Sequence, residues 1–291
     1  MKFVLSTSFS SVSHLTRIAP VADQCGWEAM SFSDHLVHPE SISTPYPYTD
    51  DGSRRWPAFT DWPDPWVTIG ALAAITERLK FTNNIYVLPM RHPFMVAKAI
   101  STAAVISNNR VIPAFGVGWS ADEFGLVGED FKTRGKRTNE ILEILRLLWS
   151  GEWVEYHGEF YDFPRLEMNP PPPGYVPFWI GGISDAAMRR AARLADGWVT
   201  DLQTSEEIST SIQRIMQWRE EYGREGDFSV MATPSDAWDI DGYKRLEDAG
   251  VTHILTMPWA FYHGETEVLD EKLDGIRRFA EDIIEPMNAD R

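Results

Sequence analysis

Short apolar runs typical of buried β-strands alternate along this chain with longer segments whose apolar residues recur at helical spacing. Eight strand runs can be counted, and a helical pattern follows each of them. Because successive strand–helix–strand units are right-handed, eight repeats predict a closed α/β fold, the (β/α)₈ or TIM barrel. The predicted strands are residues 3–7, 29–33, 81–88, 111–118, 178–181, 198–201, 228–233 and 253–257.

The helical patterns support the same architecture. An open, doubly wound sheet is the alternative, but no GxGxxG follows the first strand, which favours the barrel. Pro93 stands in the first turn of its predicted helix, where proline is favoured. The predicted helices are residues 12–26, 65–78, 93–107, 133–150, 184–194, 205–221, 240–248 and 267–284.

Two insertions interrupt the alternation. A long irregular loop follows the second strand from Asp34 to about Pro65, and residues 152–175 read as a β-hairpin before the fifth strand, followed by a stiff connector at 169–173. A barrel takes about 250 residues, so the 291 residues suit one domain spanning 1–291 with these additions.

The composition and charge of the chain disfavour several classes of protein. With 27 Lys+Arg against 43 Asp+Glu, the chain carries −16, which disfavours nucleic-acid binding because that depends on neutralising phosphates. No apolar run reaches the ~18 residues of a membrane span. The single cysteine cannot form an internal disulfide, and the N-terminus reads as a strand and not as a signal peptide, so we expect a cytoplasmic location.

The active site of such a barrel lies at the C-terminal ends of its strands. Asp34 and His35 follow the second strand. A histidine can exchange protons near neutral pH, and an adjacent carboxylate can orient it. The alternative is a hydrogen-bonded pair that only starts the loop.

Two glycine-containing strand ends also draw attention. Gly181, Gly182 and Ile183 precede Ser184, where a helix opens, so backbone N–H groups could cradle a phosphate. The alternative is a tight turn with Ser184 as N-cap. After the fourth strand, Gly116 and Gly118 beside Trp119 leave room for a flat ring, or serve only turn geometry.

The long loop is rich in aromatic residues. A loop of this length is usually functional or disordered, and so many aromatic residues argue against disorder. We expect a lid or pocket wall for an apolar or aromatic small-molecule substrate. An oligomer contact is the alternative. The aromatic residues are Tyr46, Tyr48, Trp56, Phe59, Trp62 and Trp66.

The seven histidines do not suggest a metal site. His35 and His38 are three residues apart, but no cysteine or third histidine accompanies them nearby, and no HxH follows the first strand. We therefore expect no bound metal.

Several stretches together resemble the luciferase-like monooxygenase superfamily, and within it the branch that uses the deazaflavin coenzyme F420. The resemblance covers most of residues 28–199, together with the GEFY turn at 158–161 and the segment from about 250 to 286. The matching stretches are EAMSFSDH at 28–35, LKFTNNIYVLPMRHPFMVAKAISTAAVISNNRVIPAFGVGW at 79–119, EDFKTRGKRTNEILEILRLLW at 129–149 and VPFWIGGISDAAMRRAARLADGWV at 176–199.

The resemblance implies roles for particular residues. Similar proteins carry a bulge with a non-prolyl cis peptide in the third strand, and the matching bond is Asn84–Ile85, to within one residue. Gly181 and Gly182 match the family's phosphate cradle, together with Ile183 and Ser184 after them. Gly116–Trp119 matches a strand end beside the cofactor, and Asp34 and His35 match positions near its reactive ring edge. Related barrels often pair, which also suggests a homodimer.

The sequence departs from the family's sugar-phosphate dehydrogenases at one place. Those enzymes carry a proton-donating glutamate soon after the fourth-strand glycines, a register that falls near Ala121 here. Glu123 is expected instead to cap or pack with the next helix. Glucose-6-phosphate chemistry is therefore not expected.

The resemblance implies hydride transfer between F420 and an unidentified organic substrate. His35 would exchange the accompanying proton, and Asp34 would orient His35 or contact the ring. The alternatives are an FMN-dependent monooxygenase on the same fold, a non-catalytic ligand-binding barrel and a metal-dependent hydrolase.

Overall fold

A parallel sheet closed into a ring forms the centre of the computed structural model, which describes residues 1–289. The third and fourth barrel strands are each split into two segments. The first segments pair through Phe81 and Val111, and the second through Tyr86 and Phe115. Because Ala114 then pairs with Trp179, the ring closes and the predicted TIM barrel is confirmed.

The strand and helix bounds follow the predicted alternation closely. The barrel strands are Lys2–Ser6, Ala29–Phe32, Lys80–Asn83 with Tyr86–Val87, Val111–Ile112 with Ala114–Gly116, Trp179–Gly181, Gly197–Gln203, Ser229–Pro234 and His253–Thr256. The helices that follow them are Val12–Gln24, Pro65–Ala73, Pro93–Ile106, Arg134–Leu148, Asp185–Leu194, Ser205–Glu221, Ile240–Asp248 and Leu269–Phe279.

Both insertions take the predicted form. Val154–His157 and Asp162–Leu166 form an antiparallel hairpin outside the barrel. Residues 34–64 contain neither helix nor strand and cover the C-terminal ends of the barrel strands.

Residues that alternate along the strands divide the apolar core into two parts. One part fills the barrel interior and includes Val4, Trp179 and Met231. The other lies between the barrel and its helices and includes Phe81 and Trp198. This division leaves the C-terminal strand ends open for a site.

Several predicted boundaries were wrong. The helix from Pro65 ends at Ala73 and not at Arg78, because the buried Asp23 carboxylate accepts hydrogen bonds from the backbone N–H groups of residues 77–79. The last helix ends at Phe279, and a π-helical turn, Ala280–Ile284, and a short helix, Glu285–Asn288, follow it.

Four short helical segments were not predicted. The α-helix Ala121–Leu126 follows the fourth strand and becomes important at the site. The other three are the 3₁₀ turns Leu88–Met90, Phe131–Thr133 and Pro258–Phe261. Among residues 1–289, no helix is both long and apolar enough to cross a membrane.

Candidate active site

A cavity of about 310 Å³ lies at the C-terminal end of the barrel, under the long loop. Its size falls at the lower end of the range of ligand pockets, about 300–1,000 Å³. Of the catalytic and cofactor-binding candidates named from the sequence, all but Ser184 line it. Those that line it are Asp34, His35, Asn84, Ile85, Gly116, Gly118, Trp119, Gly181, Gly182 and Ile183.

The floor of the cavity is a bulge in the third strand. The Asn84–Ile85 peptide bond is cis, at the position that the family resemblance implied. A Cβ atom on Gly116 would lie 2.3 Å from Ile85 Cδ1, and one on Gly181 would lie 2.4 Å from Ile85 Cγ2. These two glycines therefore make room for the Ile85 side chain, which supplies an apolar surface above them. The sequence had led us to expect that they make room for a ligand directly.

A chain of hydroxyl groups runs beside this bulge. Ser33 Oγ donates to the Asn84 carbonyl at 3.1 Å, and Ser8 Oγ lies 2.7 Å from Ser33 Oγ. A serine hydroxyl has one proton, so Ser8 must be the donor to Ser33. Ser6 donates in turn to Ser8 at 3.3 Å. The hydroxyl groups therefore donate in one direction, from Ser6 at the end of the first strand to the Asn84 carbonyl in the bulge.

The Gly181–Ser184 turn shows the geometry of a tight strand-to-helix connection. Gly182 has a φ of +123°, its N–H donates to the Val199 carbonyl, and Ser184 Oγ accepts from Ala187 N as N-cap. Asp185, which could repel an anion, makes two hydrogen bonds with Arg214 at 2.8 and 2.9 Å. The helix start therefore borders the cavity with its adjacent carboxylate engaged elsewhere.

Asp34 is held in a buried ion pair. Its two carboxylate oxygens accept from Arg91 Nη1 at 2.7 Å and Arg91 Nη2 at 2.8 Å. The backbone N–H of Val87 donates to the same carboxylate at 2.8 Å. Burial would lower the pKa of Arg91, but the charge of Asp34 raises it above its ordinary value. Asp34 thus ties the end of the second strand to the segment after the bulge.

The carboxylate that contacts His35 is that of Glu123, and the expectation that Asp34 orients it was wrong. His35 Nδ1 lies 3.0 Å from Glu123 Oε2, while Leu36 N donates to Glu123 Oε1 at 3.0 Å. Burial would raise the pKa of Glu123, but the hydrogen bonds from His35 and from the backbone of Leu36 and Val37 lower it below its ordinary value. Glu123 therefore does not cap its helix; Ser120 Oγ accepts from its N–H instead.

Aromatic rings surround the side chain of His35. The centroid distances from its imidazole are 4.7 Å to Trp56, 4.9 Å to Trp62 and 6.1 Å to Trp119. Tyr46 closes the enclosure, at 5.1 Å from Trp119 and 5.2 Å from Trp56. The predicted pocket wall is present, with its members drawn from the long loop and the fourth strand end.

Two of the loop's aromatic residues lie elsewhere. Phe59 is fully exposed, and Trp66 packs edge-on against Tyr86 in the layer between barrel and helices. Tyr46, Tyr48, Trp56 and Trp62 line the cavity. Aromatic content alone could not tell these groups apart, because the sequence presents all six residues as one aromatic-rich stretch, although Trp66 lies in the helix Pro65–Ala73.

Polar contacts fasten the loop at several places, and Arg55 and Asp122 make two of them. Arg55 donates to Tyr46 Oη and, at 3.1 Å, to Asp201 at the end of the sixth strand. Asp122 accepts from Ser43 N at 2.9 Å and from Ser43 Oγ at 2.8 Å. No cluster of three or more metal-ligating side chains occurs in the described part of the chain.

Sequence reasoning gave Glu123 only a capping or packing role, and it gave no role to Arg91 or Arg55. Ser120 and Glu123 have the spacing of a capping box, which could have predicted the short helix. That signal could not have shown that the glutamate side chain leaves its own helix and reaches His35.

Comparison with known proteins identifies the family. A family model described as luciferase-like monooxygenase matches residues 3–279. The chain belongs to this family. It is therefore an enzyme of the oxidoreductase and monooxygenase class, as the resemblance predicted.

Two relatives extend this assignment. An uncharacterized protein of Mycobacterium tuberculosis is 36% identical over 289 residues, covering 98% of this chain and 99% of that protein. An F420-dependent glucose-6-phosphate dehydrogenase of Nakamurella multipartita is 28% identical over 242 residues, covering 81% and 67%.

Solved structures share the fold. The coenzyme F420 dependent tetrahydromethanopterin reductase of Methanopyrus kandleri has a TM-score of 0.77 at 15% identity, covering 99% of each chain. A type II Baeyer–Villiger monooxygenase of Pseudomonas putida, in complex with FMN, has a TM-score of 0.63 at 21% identity, covering 84% and 70%. Of these two proteins of the same fold, one depends on F420 and the other is in complex with FMN.

Proposed function

We propose that this chain transfers a hydride between coenzyme F420 and a small organic substrate, with His35 exchanging the accompanying proton. The observation that carries the proposal is the arrangement of His35, whose Nδ1 is bound by a buried carboxylate while its ring lines a cavity floored by Ile85. The F420-dependent relative supports the choice of cofactor.

The cavity fits a flat tricyclic ring with a phosphate-bearing chain. Ile85 provides an apolar support, and the strand ends at Gly116–Trp119 and Gly181–Ile183 border it. The start of the helix Asp185–Leu194 offers backbone N–H groups to an anion, which an acidic protein must bind locally. Ser184 is the N-cap of this helix. It would contribute to phosphate binding only by fixing where the helix begins.

When bound, the coenzyme would supply the carbon that takes up or gives back the hydride. Because Nδ1 is bound to Glu123, Nε2 is the nitrogen of His35 that a substrate can reach. In the oxidising direction Nε2 accepts the proton that the substrate loses with its hydride, and in the reducing direction it donates that proton. Asp34 and Arg91 hold the strand ends around this position.

The enclosure around His35 favours a planar, largely apolar substrate. Trp56, Trp62, Trp119 and Tyr46 offer ring faces and edges, and they exclude water from the proton-exchanging nitrogen. Tyr46 and Arg55 provide a polar edge where a hydroxyl or carbonyl group could bind. Aromatic and alicyclic alcohols, ketones and enones fit these requirements.

FMN is the alternative cofactor, favoured by the structural neighbour that contains it. Titration of the purified protein with F420 and with FMN separates the two, and we expect binding of F420 alone. Binding of FMN alone would support a monooxygenase, and binding of neither would support a non-catalytic barrel. A panel of aromatic and alicyclic alcohols and enones, followed by the absorbance of F420, then tests hydride transfer.

A glycine variant tests the position of the cofactor. In Gly116→Ala the new Cβ would force Ile85 toward the cavity, so we expect at least about a tenfold loss of F420 affinity, about 1.4 kcal/mol. Gly70→Ala is a matched control, because a Cβ there meets nothing within 4 Å. Unchanged affinity in Gly116→Ala would place the ring elsewhere.

A further inference from the structure

We propose that Glu123 is a positioning residue that fixes which nitrogen of His35 exchanges the proton. The inference rests on the proposed function, since it matters for catalysis only if His35 exchanges a proton. Its structural basis is independent of any cofactor. The two side chains are buried, with 4% of Glu123 and 14% of His35 exposed.

An ionised carboxylate can only accept hydrogen bonds. The 3.0 Å contact with Glu123 Oε2 therefore requires a proton on His35 Nδ1. In the neutral ring, Nε2 is then the bare nitrogen and can accept a proton; in the charged ring, it donates one. The opposite tautomer would place two unprotonated acceptors against each other.

The other oxygen of Glu123 is already engaged. Oε1 accepts from Leu36 N at 3.0 Å and lies 3.5 Å from Val37 N. These backbone groups fix the rotation of the carboxylate and leave Oε2 for the imidazole. Ser120, which caps the short helix, fixes the backbone from which Glu123 extends.

The neighbouring Asp122 provides a matched comparison on the same helix. Its carboxylate accepts from the backbone and side chain of Ser43, and from Thr44 N at 3.3 Å. Asp122 therefore fastens the long loop without touching His35. A variant of Asp122 reports the cost of loosening the loop, and a variant of Glu123 reports that cost together with the loss of positioning.

Other charged groups near the ring must be separated from this effect. Burial, Arg54 and His35 together lower the pKa of His38, which also belongs to the loop. Asp34, next to His35 in the chain, is neutralised by Arg91. His38→Asn in the same background removes the second imidazole from any pH titration.

Glu123→Gln should invert the tautomer of His35. The amide oxygen can still accept from Leu36 N, which turns the amide nitrogen toward Nδ1. Because that nitrogen donates, Nδ1 must lose its proton and Nε2 must carry it. Long-range ¹H–¹⁵N spectra should show protonated Nδ1 in the neutral wild-type ring and protonated Nε2 in the variant. Asp122→Asn should keep the wild-type pattern.

The expected change in kcat follows from the same inversion of the His35 tautomer. On the best substrate of the alcohol and enone panel, Glu123→Gln should lower kcat by about 10- to 100-fold with little change in F420 affinity. Asp122→Asn should lower kcat less than about threefold.

Two results overturn the inference: ring spectra of Glu123→Gln that match the wild type, or an inverted tautomer with unchanged kcat. If Glu123→Gln does not fold, the spectra of the wild type decide. A neutral wild-type His35 ring with an unprotonated Nδ1 would also overturn the inference. Failure of the wild type to bind F420 contradicts the proposed function instead, and the ring spectra still decide whether Glu123 fixes the tautomer.

Discussion

Asp34 and His35 are consecutive residues, yet their side chains form two hydrogen-bonded pairs with opposite properties. The Asp34–Arg91 pair is bidentate, takes a third hydrogen bond from Val87 N and leaves 2% of Asp34 exposed. The His35–Glu123 pair joins one nitrogen of a ring that lines the cavity. The first pair is fully satisfied and holds two strands together, whereas the second keeps one nitrogen free for chemistry.

The largest expected effect is on turnover, and it distinguishes the His35–Glu123 pair from the Asp34–Arg91 pair. His35→Ala removes the group that we propose exchanges the proton, so we expect kcat to fall by about 10²- to 10⁴-fold. F420 affinity should change little, because Ile85 and the glycine strand ends remain. Steady-state kinetics and cofactor titration measure both quantities. Retained turnover on a true substrate would remove His35 from the mechanism.

Asp34→Ala should act on stability. It leaves the Arg91 guanidinium largely buried without its counter-charge, and breaking a buried pair in this way costs about 3–5 kcal/mol. Urea unfolding of the variant and the wild type measures the difference. Asp34→Ala with Arg91→Met removes both charges and should recover part of the loss. A change below about 1 kcal/mol in the single variant would show that the pair is not structural.

The sequence predicted the barrel but not these pairs, for a physical reason. Strand and helix periodicity is local, so the eight alternations could be inferred from it, and the family resemblance implied the position of the bulge at Asn84–Ile85. Arg91 is 57 residues from Asp34 and Glu123 is 88 residues from His35. Which carboxylate meets which partner depends on the path of an irregular loop, and no local pattern encodes that path.

The glycines show a similar limit of prediction from sequence. Gly116 and Gly181 were correctly placed at strand ends that border the cavity, because glycine permits close approach. The approaching group is the Ile85 side chain, whose direction depends on the three-dimensional form of the bulge. Sequence reasoning could identify the close approach but not the atom that makes it.

The stability contributed by the His35–Glu123 pair should also depend on pH. The folded-state pKa of Glu123 lies below its ordinary 4.5, so its ionised form contributes stability above that pH. This contribution is lost as the pH falls through the lower, folded-state value. The unfolding free energy of the wild type, relative to Glu123→Gln, should therefore decrease between about pH 6 and about pH 3. A difference that stays constant over this interval would contradict the stabilising role of the carboxylate.

The smallest effect on stability is expected at a third pair of side chains, the ion pair Arg55–Asp201, which links the long loop to the sixth strand. Its side chains are 33% and 22% exposed, and the contact is 3.1 Å. A pair this open to solvent contributes about 0.2–1 kcal/mol, so Asp201→Asn should hardly change the urea midpoint. Hydrogen exchange of residues 45–60 should nevertheless rise, because Arg55 then holds the loop only through Tyr46. Unchanged exchange would show that the aromatic packing and the hydrogen bonds of the loop to Asp122 and Glu123 keep it closed over His35 without the Asp201 contact.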